Sequence, residues 1–458
     1  MIKPANHFLV LILCCLFAIL YGLWLLPHTL FIRNTCLILG AFLSLPIIYS
    51  YRLFLLQKSA IPIGLIMLLL VWVTIHLFFI GENYDLQFLE YTKSWKKIAI
   101  GVVFALGLGL GILSQLSNKK EAAIYWRIIY LGFTLPTLIY FLKFAVTHYA
   151  PTYGFTIPKY LFLTPDHMGN PLGISKAWYV FFCLPALAIA LGAITNALKD
   201  SRPSLKGFWI FIGIIPLVLL NFYLEQDRNG MIYSLVLIAV SLTLICLSWL
   251  KQLSFRSIFI VVLLLSVSVP FIVTSFKHNQ HWQSIAADAK VAVQVNKYDH
   301  WRRSASVPYP LNELGNPTSP SNYDRVAWLV VGVPLTFQNP WGYGLMGLSF
   351  SGLIRQQYPD ADASHTHNAW LDFTLGYGFP GLFLLAGAAF LAWKNSKNLP
   401  KDWALIGRWG IGSICLLLFT CEISSEVFIG AFIFNIIWIS ALSLKSSAPD
   451  IVLEMSSQ

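Results

Sequence analysis

Apolar runs of about 20 residues recur from one end of the chain to the other, each long enough to cross the hydrocarbon core of a bilayer as a helix. Only 11% of the 458 residues are charged, against about 25% in a soluble domain. A chain with this pattern reads as an all-α polytopic membrane protein. Twelve spans are expected, at about 8–26, 30–50, 61–80, 98–116, 125–147, 177–197, 207–224, 230–249, 257–276, 368–393, 404–421 and 427–445. The first run is long for the apolar core of a signal peptide and lacks a small-residue cleavage site, so it reads as a span. Nine spans within 1–276, a long, partly helical loop over 277–366 and three spans within 367–458 are expected to form one integral membrane unit.

The net charge of +11 would point to nucleic acid in a soluble protein. Here Lys and Arg are spread over short alternate loops. With the N-terminus inside, those loops carry Arg52 and Lys58; Lys119 and Lys120; Lys199, Arg202 and Lys206; Lys251 and Arg256; and Lys394, Lys397, Lys401 and Arg408. That is the positive-inside pattern, and no nucleic-acid signature accompanies it. Lys93, Lys96 and Lys97 fall on the outer side and break the pattern; residues 84–97 are expected to form an interfacial helix, the alternatives being a miscounted span or lysines that face an anionic substrate. The seven cysteines lie in or beside apolar runs, so no disulfide framework is expected.

Two outer loops stand out, 148–176 and 277–366. In the second, 284–298 reads as a helix, 307–322 as a Pro/Asn/Ser-rich loop, and 323–338 as a mostly apolar helix bent or ended near Pro334, followed by a turn over 339–344.

The stretch Ser364-His365-Thr366-His367-Asn368 ends a polar segment just where the apolar tenth span begins. His367, at the outer end of that span, has a side chain whose ordinary pKa suits a general base, and the helix start offers positive dipole and free N–H groups to an anion. The alternative is a histidine that only caps the helix. Arg228 lies in the tight outer turn Glu225-Gln226-Asp227-Arg228-Asn229-Gly230; it suits a phosphate clamp, or an ion pair with Asp227 or Glu225. Arg325 sits on the apolar loop helix, where a charge needs a partner or a substrate, Asp324 being the nearby partner. Arg302 and Arg303 are weaker candidates in a solvated loop. His365 and His367 with Asp360 and Asp362 could be taken for a metal site, but two ligands at i, i+2 converge only in extended backbone, and zinc needs three or four. Glu422 and Glu426 flank the last outer turn and could bind a sugar or form ion pairs. Ionisable groups within spans are scarce, His76 and Lys143 being the nearest cases, which argues against a proton-coupled transporter. Two arginines and a histidine on one face, without a nucleotide motif, match transfer from a lipid-linked diphosphate donor.

His367-Asn368, nine residues, then Gly378-Phe379-Pro380-Gly381 resembles the His-Asn…Gly-x-x-Gly signature of the bacterial O-antigen ligase and polymerase superfamily. Arg325 and Trp328 followed by Asn339-Pro340-Trp341-Gly342-Tyr343-Gly344 resembles its Arg…Trp…Asn-Pro-x-Gly-x-Gly segment. Asp227-Arg228-Asn229-Gly230 resembles its Ser-Arg-x-Gly turn, with Asp in place of Ser. The resemblance covers about 221–393. It implies a twelve-span, GT-C-like, metal-independent glycosyltransferase of the Gram-negative inner membrane, with its site facing the periplasm and no cofactor. It implies an undecaprenyl-diphosphate glycan donor and, for a ligase, inverting transfer to a sugar hydroxyl of lipid A–core. By the same resemblance His367 is the catalytic histidine and Arg228 and Arg325 bind the diphosphate as part of the catalytic set; Asp227, Asn368, His365, Arg302 and Arg303 are further candidate substrate contacts read from the residues themselves. The chain length and the signature spacing favour a ligase; a polymerase, an O-linked protein oligosaccharyltransferase and, from another class, a lipid-linked glycan transporter are the alternatives. The expected partners are donor, acceptor and membrane lipids, without nucleic acid, for a monomeric protein.

Overall fold

The computed structural model describes residues 5–164, 172–199, 208–249, 284–423 and 426–444, with isolated positions between 262 and 274. Among these residues regular structure is helical; an isolated antiparallel bridge joins Leu311 and Pro317. Among the described residues seven helices are long and apolar enough to cross a membrane, and three shorter apolar helices accompany them. The expected ninth span, 257–276, lies almost wholly outside the described residues.

In chain order the helices are α1 (His7–Leu23), α2 (Leu30–Tyr51), α3 (Ile61–Ile75), α4 (Tyr84–Glu90), α5 (Lys96–Gln115), α6 (Lys119–Tyr149), α7 (Lys176–Lys199), α8 (Phe208–Leu224) and α9 (Arg228–Trp249). The long loop contributes α10 (Ile285–Ala292), α11 (Pro320–Gln338) and α12 (Ser349–Gln357). The chain then forms α13 (Ala369–Asn395), α14 (Lys401–Leu405), α15 (Ile411–Leu417) and α16 (Glu426–Leu442). Asparagine side chains start several of them: Asn6 accepts from Phe8 N, Asn83 from Leu86 N and Asn368 from Leu371 N, each satisfying an N–H that the first turn leaves open. Packing runs α1 on α6, α2 and α16 on α5, α3 on α13, and α7 on α8 and α9. At the centre Phe17 and Tyr21 of α1 meet Phe133 of α6, Phe182 of α7 and Phe434 of α16 ring to ring.

Residues 84–97 do not form a separate interfacial helix. α4 continues through residues 91–95 into α5 as one 32-residue rod, Tyr84–Gln115. No Pro or Gly interrupts residues 84–100, and polar groups in this part of the rod are held by others. Both oxygens of Glu90 accept from Met346 N, at 3.0 and 2.9 Å, Tyr377 Oη donates to Glu90 Oε1 at 2.9 Å, and Lys97 pairs with Glu426 at 2.8 Å. The loop helix expected to bend or end near Pro334 begins at Pro320 and runs past Pro334 to Gln338. The helix expected over 284–298 closes earlier, at Ala292.

The long loop has its own core, in which Trp301, Tyr323, Trp328, Phe350 and Leu353 pack down onto Leu371 and Leu375 of α13. Its polar centre is the buried Asp288 carboxylate, which accepts from Ser284 Oγ, Asn312 Nδ2, Asn322 Nδ2 and Ser319 N. Burial alone would raise this carboxyl; the four donors outweigh it and hold its pKa below the usual value.

The 339–344 turn docks on an opening in α13. Gly378 has φ 68° and ψ −176°, outside helical space, and the break frees neighbouring backbone groups. Tyr343 N and Gly344 N donate to the Leu375 and Gly376 carbonyls at 2.8 and 2.6 Å, and Phe379 N donates to Pro340 O at 2.9 Å. The two glycine-bearing motifs are therefore the two sides of one backbone junction.

Candidate active site

His367 precedes α13 in a left-handed conformation, φ 55°, uncommon for a residue other than glycine. Its neighbours impose it. Thr366 N and Thr366 Oγ1 both donate to Oδ1 of Asp372, at 2.9 and 2.8 Å, and Asn368 N donates to Thr366 Oγ1 at 3.2 Å. With Thr366 pinned to Asp372, and Asn368 serving as the N-cap of α13, the single residue between them is turned out. The capping role considered for His367 therefore belongs to Asn368.

His367 lines a cavity of about 680 Å³ at the end of the bundle where α9 and α13 begin. Arg325 of α11, Asp227 just before α9 and Asn229 in its first turn line it too. So do Lys176 at the start of α7, Glu225, and Thr420, Cys421 and Glu422 after α15. Arg325 donates to Asn229 Oδ1 at 3.0 Å, and its Nε is buried without a hydrogen-bond partner in the structure. Asp324, the sequence-adjacent candidate partner, instead accepts from Tyr309 Oη. Arg228 is not on the cavity wall: it donates to Asn322 and Ser321 at the start of α11, close enough to Arg325 for the two guanidinium groups to repel. Asp227 accepts from Gly230 N at 3.0 Å and so closes the first turn of α9.

Charge in the cavity is unevenly compensated. Burial raises the carboxyls of Asp227 and Glu225, against the pull of the Gly230 N–H and Arg325 on the first and of Tyr140 and Lys176 on the second. Burial, the adjacent His365 and Arg325 push the His367 imidazole down to about 3, against the attraction of Glu422. His367 is thus a neutral ring at neutral pH, tilted against Trp328 with centroids 5.5 Å apart. Burial works against a charged His365 as well, but its 2.7 Å ion pair with Glu422 wins and holds its pKa above the ordinary value.

The rings of His365 and His367 lie 4.2 Å apart, and ligand atoms of His365, His367 and Glu422 fall within 4.8 Å of one another. The two histidines therefore converge although helix begins beside them, because the left-handed His367 reverses the chain locally. Such a set could accept a metal ion; here the Glu422 oxygen is engaged by His365. Asp360 and Asp362 are elsewhere: Asp360 pairs with Arg303, and Asp362 accepts from Ser304 and Ala305. Arg302 pairs with Asp299 at 2.7 Å and stacks over Tyr358. Arg302 and Arg303 are thus engaged within the loop and do not line the cavity. Glu426 is taken up by Lys97.

Several wall residues were not singled out from the sequence. Lys176, Thr420 and Cys421 arrive through tertiary packing of distant segments. Asp372 did leave a signal, a carboxylate one turn into an otherwise apolar helix, where an acid is costly unless it holds something.

What the assembled wall offers is a cationic side for an anion, a neutral imidazole for a proton, and helix starts facing the same space. No curated protein matches the chain. Residues 211–386 match the family model described as O-Antigen ligase. This segment holds Arg228, Arg325 and His367, and its match supports assigning the chain to the O-antigen ligase/polymerase superfamily.

Proposed function

We propose that the protein is an O-antigen ligase, which transfers a glycan from undecaprenyl diphosphate to a sugar hydroxyl of lipid A–core at the periplasmic face of the inner membrane. The observation that carries this reading is the shared wall of Arg325 and the unprotonated His367 in one cavity. In the proposed step the acceptor oxygen attacks the anomeric carbon from the face opposite the leaving group. The bond from that carbon to the donor phosphate breaks, its electron pair leaves with the diphosphate, and the hydroxyl proton passes to His367. Arg325, with Arg228 behind it, neutralises charge that grows on the diphosphate. Arrival of the anion also cancels part of the guanidinium field on His367, raising its basicity where the proton must be taken. No cofactor enters the step.

The test is a lipopolysaccharide gel of a strain lacking the protein, run with an analysis of its lipid-linked glycans. The ligase reading expects a core-only band with polymerised glycan left on the carrier. Core capped by single repeats would make the protein a polymerase, and normal lipopolysaccharide with loss of glycan from proteins would make it an oligosaccharyltransferase.

A further inference from the structure

A second pair of cavities lies away from the His367 site and takes no part in the transfer. One, of about 280 Å³, is at the opposite end of the bundle, where the C-terminal ends of α7, α9 and α13 meet the segment that leads into α15. Lys199, Arg408 and Asn196 line it, with Trp393 and Trp409. The Lys199 ammonium and the Arg408 guanidinium lie close enough to repel each other, and neither has a carboxylate within ion-pair distance among the described residues. Two cations facing one small space gain from an anion between them. Arg408 also stands over the Trp393 ring at 5.7 Å, and Trp393 Nε1 donates to the Arg408 carbonyl at 3.0 Å, so the rim is fixed rather than loose.

The other cavity, of about 560 Å³, is a groove along α13 and α15 walled by Phe383, Ala386, Phe390 and Cys415. Its lining is almost wholly apolar, and Phe383 and Phe390 are exposed along it. The two cavities share Trp393 and Gly412. A basic, aromatic-rimmed space therefore adjoins an apolar groove across Trp393 and Gly412. That combination fits one molecule with an anionic head and a hydrocarbon chain. Lys394, in the last turn of α13, and Lys397 and Lys401 after it lie here, in the basic-loop pattern of the cytoplasmic side, where the leaflet is rich in anionic lipid.

We propose that this composite cavity binds an anionic phospholipid of the inner leaflet, its phosphate between Lys199 and Arg408 and one acyl chain in the groove between α13 and α15. The inference is independent of the reaction assigned to the His367 cavity. Because α13 also carries the Thr366–Asp372 clamp at its other end, a lipid held here would brace the helix that presents His367.

Native mass spectrometry of the delipidated full-length protein tests this, with phosphatidylglycerol and phosphatidylcholine of matched chains added at equal concentration. The wild type is expected to retain at least about fivefold more phosphatidylglycerol. Lys199→Gln should lower that preference several-fold. Gly412→Leu should lower retention of both lipids, since a Cβ there meets only Trp393, at 3.7 and 3.8 Å, and a longer side chain projects at the shared boundary. Equal retention of the two lipids by the wild type would overturn the proposal without recourse to any variant. A phosphatidylglycerol preference unchanged by Lys199→Gln, or chain binding unchanged by Gly412→Leu, would overturn it too. Displacement of phosphatidylglycerol by an equal amount of undecaprenyl phosphate would assign the groove to a polyprenyl chain instead.

Discussion

Arg325, on the loop helix α11, donates to Oδ1 of Asn229, in the turn that starts α9, over 3.0 Å. This contact joins two segments 96 residues apart and fixes where the guanidinium stands relative to His367. One Arg325 nitrogen is thus used for positioning, while its buried Nε has no protein partner in the structure. Replacing Arg325 by Lys keeps the charge but loses the planar fork. We expect Arg325→Lys to lower transfer by about 10²-fold or more, most of it in the rate under saturating donor. Asn229→Ala should cost less and act by loosening Arg325. Steady-state kinetics of the two variants checks this; a harmless Arg325→Lys would contradict it.

The depressed His367 pKa has a consequence for stability. The unfolded ring has an ordinary value near 6.5 and the folded ring about 3, so the folded state binds fewer protons between the two. Stability is full above about pH 6.5 and falls as the pH drops toward 3, by at most about 1.4 kcal/mol per unit. His367→Asn should therefore lose less thermal stability than the wild type between pH 7.5 and 5, as read by melting in detergent. Parallel losses in the two proteins would mean that the ring is not held neutral.

His365 behaves in the opposite sense. Its folded pKa is raised above the ordinary value by Glu422, against burial. The stability contributed by that pair is complete below about pH 6.5 and is lost as the pH rises through the folded value. The difference in Tm between the wild type and Glu422→Gln should be largest near pH 6 and shrink by pH 9. A difference that grows with pH would contradict the assignment.

The junction between the 339–344 turn and α13 gives a further expectation. At Gly378, φ is 68° and an added Cβ would stand 2.4 Å from Pro340 O. Gly378→Ala should destabilise the protein by about 1–3 kcal/mol and also reduce transfer, because the loop that carries Arg325 would no longer seat on the helix that carries His367. Melting and activity should fall together. Full activity with an unchanged Tm would show that the junction is not strained by a side chain.

Several of the expected spans were legible because bilayer length and helix rise leave few alternatives: α2, α7 and α13 match their expected limits to within a few residues. The pairing of Arg325 with His367 was legible only as shared chemistry on one side of the membrane. What the sequence hid was set by long-range partners. Lys97 reads as a charge on the wrong side until Glu426, 329 residues away, is seen beside it. Lys176 reads as a helix-end lysine until the turn before α9 folds over it. The convergence of His365 and His367 was misjudged because i, i+2 geometry was argued from regular backbone. The left-handed His367 depends on Asp372, six residues beyond Thr366, holding that threonine.

The most direct test is transfer by the purified protein in vitro, with undecaprenyl-diphosphate glycan as donor and lipid A–core as acceptor. His367→Ala, eluting and melting like the wild type, is expected to lose at least about 10²-fold to 10⁴-fold in rate, as for removal of a general base, while its retention of the donor stays within a few-fold. Near wild-type transfer by the folded His367→Ala protein would contradict the central claim.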